Sequence, residues 1–236
     1  MTEGTHKQRV GFSAIGGRTA KAEKIAAILA AAGRPLKRNQ KVLDVGCGSG
    51  EIAAYLSTMA EVICTDRVDQ RTQSVDLPFQ PLKDTLPFED ATFDVVVSNH
   101  VIEHTGDPTL HLQEIHRVLR PRAVAYLATP NRLWPWEVHA HLPLLHYLPW
   151  RLFSSIGMKL GRLHEPVQLQ TLAGLQRLCR SQFKTEIWHH RVLKDPNSYA
   201  LNLPPGLQRL LKIVPSPLLA TTAGLQPTLI LLLSAE

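Results

Sequence analysis

The sequence predicts an α/β fold in which helices cover both faces of a doubly wound, mostly parallel sheet. Segments typical of buried strands alternate with amphipathic helices at spacings that suit right-handed crossovers. Residues 41–56 run from an apolar strand through a glycine-rich turn into a helix. Polar residues follow several predicted strands, where sheets of this kind bind ligands. The chain has 236 residues, and we expect 1–236 to form a single domain.

Basic residues are concentrated at the start of the chain. The first 41 residues hold nine lysines and arginines against two glutamates, whereas the whole chain has a net charge of +6. This basic N-terminal arm and helix, residues 1–40, can be a solvated surface or can attract nucleic acid, a membrane surface or an acidic substrate. Three irregularly spaced cysteines and a start without an apolar signal segment favour a cytoplasmic, reducing location.

A second stretch bears on membrane contact. Residues 213–233 carry no charge, and a segment of that length can cross a bilayer. Pro215, Pro217, Gly224 and Pro227 interrupt it, so a final strand behind a proline-rich loop is favoured over a membrane span. Peripheral membrane contact stays open as an alternative.

The glycine-rich turn is the most informative stretch. A strand from Lys41 ends in Asp44-Val45-Gly46-Cys47-Gly48-Ser49-Gly50, and a helix follows at Glu51. Such a turn lets a ligand approach the backbone closely at a helix N-terminus. In a dinucleotide site, the third glycine would stand at Glu51. Asp44 would repel a pyrophosphate but suits a cationic or hydroxyl-rich ligand, so an NAD or nucleotide-sugar oxidoreductase is disfavoured.

This motif resembles that of the class I methyltransferases that use S-adenosylmethionine (SAM). The resemblance implies a Rossmann-like, seven-stranded, mostly parallel sheet with an antiparallel last strand. It also implies that SAM is the cofactor, held by Asp44, Gly46, Cys47, Gly48 and Gly50.

Further cofactor contacts are expected after the second and third strands. Glu61 to Asp66 is the second strand, and a carboxylate at its end can accept hydrogen bonds from both ribose hydroxyls or can simply cap a helix. Arg67 follows directly. In similar methyltransferases, an acidic residue before a Leu-Pro-Phe triplet meets the adenine amino group. Here Leu82 stands at that position, so Asp84, beside Lys83, is the best candidate for the contact.

The fourth strand leads into the predicted methyl-transfer end of the site. A β-branched run at Asp94–Asn99 predicts a central strand. The segment Asn99-His100-Val101-Ile102-Glu103-His104 resembles small-molecule methyltransferases of the ubiquinone and menaquinone biosynthesis type, in which this turn, with Asn99, borders the methionine part of SAM. Residues 98–101 lack the Asn-Pro-Pro-Tyr of enzymes that methylate a flipped base, so nucleic acid is not the expected acceptor.

Residues 129–165 are predicted to form an acceptor-side loop and lid. They hold three of the four tryptophans. Trp134, Trp136 and His139 can line a pocket for an apolar or sugar-like acceptor, or the aromatic residues can close the edge of the domain. His139 and His141 alternate but lack a patterned partner, so no metal site is predicted. His104, His139 and His141 are candidate general bases.

The remaining elements complete the predicted order. Helices are expected over 19–32, 51–59, 108–119 and 170–181, strands over 123–128, 183–190 and 228–233, and an apolar insertion over 195–225 beside the acceptor pocket. The predicted function is methyl transfer from SAM to a small, partly apolar acceptor related to a quinone, lipid or glycan, at oxygen. The alternatives are a catalytically silent, methyltransferase-like binding subunit and, less favoured, an NAD or nucleotide-sugar oxidoreductase. The sequence predicts no oligomeric state.

Overall fold

A single mixed sheet organises the chain in a computed structural model that describes residues 17–137, 139–141 and 143–235. Its strand order is β3-β2-β1-β4-β5-β7-β6. The strands are β1 (Lys41–Val45), β2 (Glu61–Asp66), β3 (Phe79–Pro81), β4 (Phe93–Asn99), β5 (Leu119–Pro130), β6 (Phe183–Ile187) and β7 (Thr228–Ala235). Only β7 runs antiparallel to its neighbours, β5 and β6, within this sheet. The predicted fold class is therefore confirmed.

Eight α-helices lie in the described part of the chain. They are α1 (Arg18–Ala31), α2 (Glu51–Leu56), α3 (Pro108–Val118), α4 (Trp150–Lys159), α5 (Leu172–Cys179), α6 (His189–Lys194), α7 (Pro205–Ile213) and α8 (Ser216–Thr221). None of the helices within the described ranges combines the length and the apolar character needed to cross a bilayer. The first 16 residues of the basic arm lie outside the described residues.

Both faces of the sheet are buried, which explains the β-branched run in β4. Val96 belongs to the core on the α3 and α5 side, whereas Val95 and Val97 belong to the core on the α1 and α2 side. Alternate residues of a strand point to opposite faces, so each face of β4 needs apolar side chains. This central strand holds Asn99 at its carboxyl end, next to β1.

Several predicted boundaries differ from those of the structure. Strand β6 ends at Ile187 rather than 190, because Arg191 N donates to Trp188 O and a helix begins there. Strand β5 starts at Leu119 and not 123, because Leu119 continues the pairing with β4 at Phe93. Helix α2 stops at Leu56, three residues early, in a series of turns. The apolar insertion over 195–225 contains two short helices, α7 and α8.

Candidate active site

The glycine-rich turn has the left-handed backbone that its sequence requires. Gly46, Gly48 and Gly50 have φ angles of +66°, +53° and +77°, a region that L side chains rarely enter. A Cβ atom on Gly46 would also lie 2.5 Å from Val101 Cγ2, after β4. Glycine at position 46 therefore lets β1 and the turn after β4 approach each other.

Strand β2 holds this turn in place. Gly46 N donates to Thr65 O at 2.8 Å, and Gly48 N donates to Asp66 Oδ2 at 2.9 Å. The second oxygen of Asp66 accepts from Arg67 N at 2.7 Å. Asp66 is half-buried at the end of its strand, so its carboxylate lies beside the turn and still reaches solvent.

Asp44 is a buried acid whose Oδ2 has no hydrogen-bond partner among the described residues. Its side chain lies at the end of β1, in register with Cys64 of β2 and Val97 of β4. Burial raises the pKa of Asp44 well above its ordinary value, and Cys64 and the nearby Asp66 carboxylate raise it further. An unsatisfied carboxylate of this kind fits a cationic ligand such as the sulfonium and ammonium of SAM.

The other predicted cofactor residues differ in their surroundings. Cys47 is buried, whereas Arg67, Lys83 and Asp84 are exposed beyond the ends of β2 and β3. Asn99 is half-buried at the end of β4 and lines a large cavity. These residues share the carboxyl edge of the sheet. Asp84 makes no hydrogen bond with another described residue, so no protein contact assigns it a role.

Arg18 is a residue of this edge that the sequence analysis missed. Its Nη1 donates to Ser49 Oγ at 2.6 Å, so the first turn of α1 touches the glycine-rich turn across 31 residues of chain. Nothing in the local pattern distinguishes Arg18 from the other basic residues of the arm. Its guanidinium places a positive charge beside the glycine-rich turn.

A cavity of about 1000 Å³ lies at the end of β4 and β5. Six predicted site residues line it: Asn99, His104, Trp134, Trp136, His139 and His141. Ala200 and Leu201 of the apolar insertion also line it. The two tryptophans are 37% and 43% exposed, so they stand at its mouth rather than in the core of the domain. An apolar molecule of moderate size fits such a space.

His139 is held by a buried carboxylate that the sequence analysis did not select. Glu137 Oε1 lies 2.7 Å from His139 Nδ1, and the Glu137 side chain is fully buried. Glu137 also accepts hydrogen bonds from the backbone N–H groups of His139 and Ala140. Burial acts to lower the pKa of His139, but Glu137, with Glu103 and Glu165, raises it above the ordinary value. The imidazole is therefore oriented with Nδ1 engaged.

Glu103 is a second buried carboxylate, and it lies next to histidines that line the cavity. It lies in a 3-10 helix, Ile102–His104, and its Oε2 accepts from Thr129 Oγ1 at 2.9 Å. Its Oε1 is 3.4 Å from His100 Nδ1, without the alignment of a hydrogen bond. Burial acts to raise the pKa of Glu103, but the three histidines at 100, 104 and 139 lower it.

His104 lines the cavity beside Glu103 and His139. Its Nδ1 lies 2.9 Å from Glu165 Oε1 of the lid segment, and its ring packs edge-on against His139 at 5.1 Å between centroids. Burial lowers the pKa of His104. Ligand atoms of Glu103, His104 and His139 all lie within 4.8 Å of one another. This arrangement can move a proton or hold a cation.

The fold, with its glycine-rich turn between acidic strand ends, is typical of SAM-dependent methyltransferases. A family model described as "Methyltransferase domain" matches residues 18–180, which include the turn, the strand ends and the whole acceptor-side loop. The chain belongs to that family, and SAM is its cofactor.

Individual relatives agree with this class. A ubiquinone biosynthesis O-methyltransferase from Parvibaculum lavamentivorans is 29% identical over 155 residues, 57% of this chain and 61% of the relative. A probable S-adenosylmethionine-dependent methyltransferase from Mycolicibacterium smegmatis is 37% identical over 100 residues, 39% of this chain and 38% of the relative. The chain thus spans less than two thirds of the length of these relatives.

Solved structures support the fold. The crystal structure of an S-adenosylmethionine-dependent methyltransferase from Mesorhizobium loti superimposes with a TM-score of 0.61 at 16% identity, over 92% of this chain and all of the other. At this identity the likeness extends to the architecture alone.

Proposed function

We propose that this methyltransferase moves the methyl group of SAM to an oxygen atom of a small, partly apolar acceptor related to a quinone, lipid or glycan. The observation that carries the proposal is the cavity, in which an apolar, tryptophan-bearing space meets a polar wall of His104 and His139, backed by the buried carboxylate of Glu103. Tryptophans can cover the acceptor, and the polar wall can activate its hydroxyl. The name of the Parvibaculum lavamentivorans relative supports oxygen as the target.

The donor half of the site is proposed at the carboxyl edge of β1, β2 and β4. Bound SAM supplies an electrophilic methyl group on a sulfonium. Asp44 faces its positive charge, Asp66 accepts from the ribose hydroxyls, and Asn99 lies at the methionine end. The glycines of the turn admit the ligand, with Cys47 between them, while Arg67, Lys83 and Asp84 border the adenosine.

Positioning is the main contribution expected from the acceptor half. Methyl transfer is an in-line displacement, so the acceptor oxygen must sit about 3–3.5 Å from the methyl carbon in a pocket that excludes water. Trp134 and Trp136 at the mouth can restrict water, and the wall of His104 and His139, with Glu103 behind it, can hold or remove the hydroxyl proton. His141 also lines the cavity and stays a weaker candidate, because no buried carboxylate among the described residues contacts it.

We propose that the Arg18 guanidinium, which contacts Ser49 of the glycine-rich turn, also binds the methionine carboxylate of SAM. Arg18→Gln is then expected to weaken SAM binding about tenfold, because one charge-assisted hydrogen bond contributes about 1.5–3 kcal/mol and Arg18 is exposed to solvent. Calorimetric titration with SAM measures the change. Arg38→Gln, an exposed cation beyond the end of α1, is the control and should bind as the wild type does. If the two variants bind SAM with equal affinity, Arg18 does not contact the ligand.

Methyl transfer itself is tested with a panel of acceptors and mass spectrometry of the products. Phenols, catechols, lipid alcohols and glycan hydroxyls are compared with amine and thiol analogues of matched size. We expect a mass gain of one methyl group on an oxygen acceptor. His139→Gln should lower kcat by roughly 100-fold or more, because it removes an oriented proton-transfer group, and should leave SAM affinity within about twofold of wild type.

The control is His116→Gln, in α3 beside Phe183 and remote from the cavity lining. It should keep wild-type kcat. Methylation of amines only would contradict the oxygen assignment. A wild-type protein that binds SAM and methylates no member of the panel, alone or with added cell extract, would favour the silent binding subunit instead.

A further inference from the structure

We propose that Glu103, His104 and His139 form a binding site for one divalent transition-metal ion of the Zn²⁺ type. The site adjoins the acceptor cavity, which His104 and His139 line. Metal binding by these residues stands independently of the proposed function, whereas the use of the ion to polarise an acceptor oxygen rests on it.

The three ligand groups converge from two separate segments. Glu103 and His104 come from the 3-10 helix after β4, and His139 comes from the loop after β5. Their ligand atoms lie within 4.8 Å of one another. Donor atoms around one Zn²⁺ lie about 2.0–2.2 Å from the ion and therefore roughly 3–4 Å from one another. Small side-chain rotations would bring these three donor atoms to that separation.

Two atoms of the cluster are buried and lack a hydrogen-bond partner among the described residues. They are Glu103 Oε1 and His104 Nδ1. Each has a close neighbour, His100 Nδ1 at 3.4 Å and Glu165 Oε1 at 2.9 Å, but neither pair has hydrogen-bond alignment. Buried polar atoms in proteins are normally satisfied. A cation would satisfy both atoms at once, and it would neutralise the charge of the fully buried Glu103 carboxylate.

The groups behind these ligands are arranged as in known metal sites. A ligating histidine usually directs its second ring nitrogen to a carboxylate, which fixes the ring and the tautomer. Here Glu137 lies 2.7 Å from His139 Nδ1, which leaves Nε2 available to an ion. Thr129 in turn donates to Glu103 Oε2 at 2.9 Å, which leaves Oε1 available.

The ligand types select the class of ion. Two imidazoles and one carboxylate form the protein ligand set of many catalytic zinc sites, which keep a further position open for water or substrate. Imidazole nitrogen also disfavours Mg²⁺ and Ca²⁺, which prefer oxygen ligands. Glu165, close to His104, can fill a fourth position. The open side of the cluster is the cavity, where a metal-bound hydroxyl would be more acidic than in water.

This site departs from the sequence-based expectation of no metal. That expectation was based on His139 and His141, which are separated by one residue in the chain. His141 does not belong to the cluster of potential ligands. The actual partners of His139 are Glu103 and His104, which lie more than thirty residues earlier and meet it only in the folded domain.

The test is metal binding to the full chain without SAM. Protein stripped with EDTA and dialysed is titrated with Zn²⁺ by calorimetry and with Co²⁺ by visible absorption. We expect one equivalent of Zn²⁺ and a Co²⁺ ligand-field band of a four- or five-coordinate ion. His139→Gln should weaken Zn²⁺ binding by more than about 100-fold, and Glu137→Gln by about 10- to 100-fold. His141→Gln is the control and should bind as the wild type does.

Circular dichroism checks that each variant is folded. If Glu103→Gln does not fold, the His104→Gln and His139→Gln variants carry the test, because both side chains are partly exposed. A folded wild-type chain that binds neither ion, or a double His104→Gln and His139→Gln variant that keeps its affinity, would overturn the site. If the protein binds the metal ion but removing the ion with a chelator does not change the rate of methyl transfer, the metal site is confirmed. In that case only its proposed role in polarising the acceptor oxygen is refuted.

Discussion

Asp66→Ala is expected to raise the dissociation constant for SAM by at least about 100-fold. A carboxylate that accepts from both ribose hydroxyls makes two charge-assisted hydrogen bonds, each contributing about 1.5–3 kcal/mol. The same carboxylate accepts from Gly48 N, so its loss also frees the glycine-rich turn. Isothermal titration calorimetry with SAM and S-adenosylhomocysteine measures the change, and both ligands should be affected equally because they share the ribose.

The control for this prediction lies on the same strand. Glu61 begins β2 and Asp66 ends it, so the two acids stand at opposite edges of the sheet. Glu61→Ala should leave the affinity for both ligands unchanged. If Asp66→Ala binds SAM as tightly as Glu61→Ala does, the adenosine does not lie at the end of β2, and the proposed donor site is wrong.

The donor edge of the sheet could be predicted because its signals are local. Strand, carboxylate, glycines and helix follow one another within residues 41–56, and β2 has the predicted bounds Glu61–Asp66. Each position is dictated by its immediate neighbours: glycine where φ is positive, a polar residue where a parallel strand ends. At this edge, the elements predicted from the sequence are therefore the elements found in the structure.

The acceptor side could be predicted only in part, because its contacts are long-range. The aromatic loop was identified, but Glu103 was read only as part of a family-like segment, and Glu137 was not selected at all. Both are fully buried acids, and the single sequence does not indicate that Thr129 or His139 will meet them. Arg18 was missed for the same reason, since its contact joins the start of α1 to Ser49 in the turn after β1, 31 residues away.

The two halves of the site differ in how their carboxylates are satisfied. Glu103 and Glu137 lie among histidines that lower their pKa values against the effect of burial. Asp44 has no histidine partner within the described residues: burial, Cys64 and Asp66 raise its pKa, and the Ala53 backbone and the Arg18 charge offset this rise only in part. A buried acid without a cation is a cost to the folded protein, so we expect the ligand, rather than the protein, to supply the charge that Asp44 lacks.

Asp44→Asn is therefore expected to stabilise the SAM-free protein while weakening SAM binding. A carboxyl group whose folded pKa is raised contributes stability that is fully present below its unfolded pKa and is lost as the pH rises through the folded pKa. At neutral pH the wild-type side chain thus destabilises the fold. An amide does not ionise, so the variant should gain on the order of 1 kcal/mol, a Tm rise of roughly 2–4 °C.

Thermal unfolding of both proteins over a series of pH values measures this difference, which should vanish in acid, where Asp44 is protonated. Calorimetry should show SAM affinity at least about tenfold lower in the variant, because the sulfonium and ammonium lose a facing charge.

The contrasting control is Asp94→Asn. Asp94 accepts from Lys41 N at 2.8 Å and from Arg120 at 2.7 Å, so its loss should lower Tm and leave SAM affinity intact. An Asp44→Asn protein that is less stable without SAM, or that binds SAM normally, would show that Asp44 is a structural acid already satisfied by the fold.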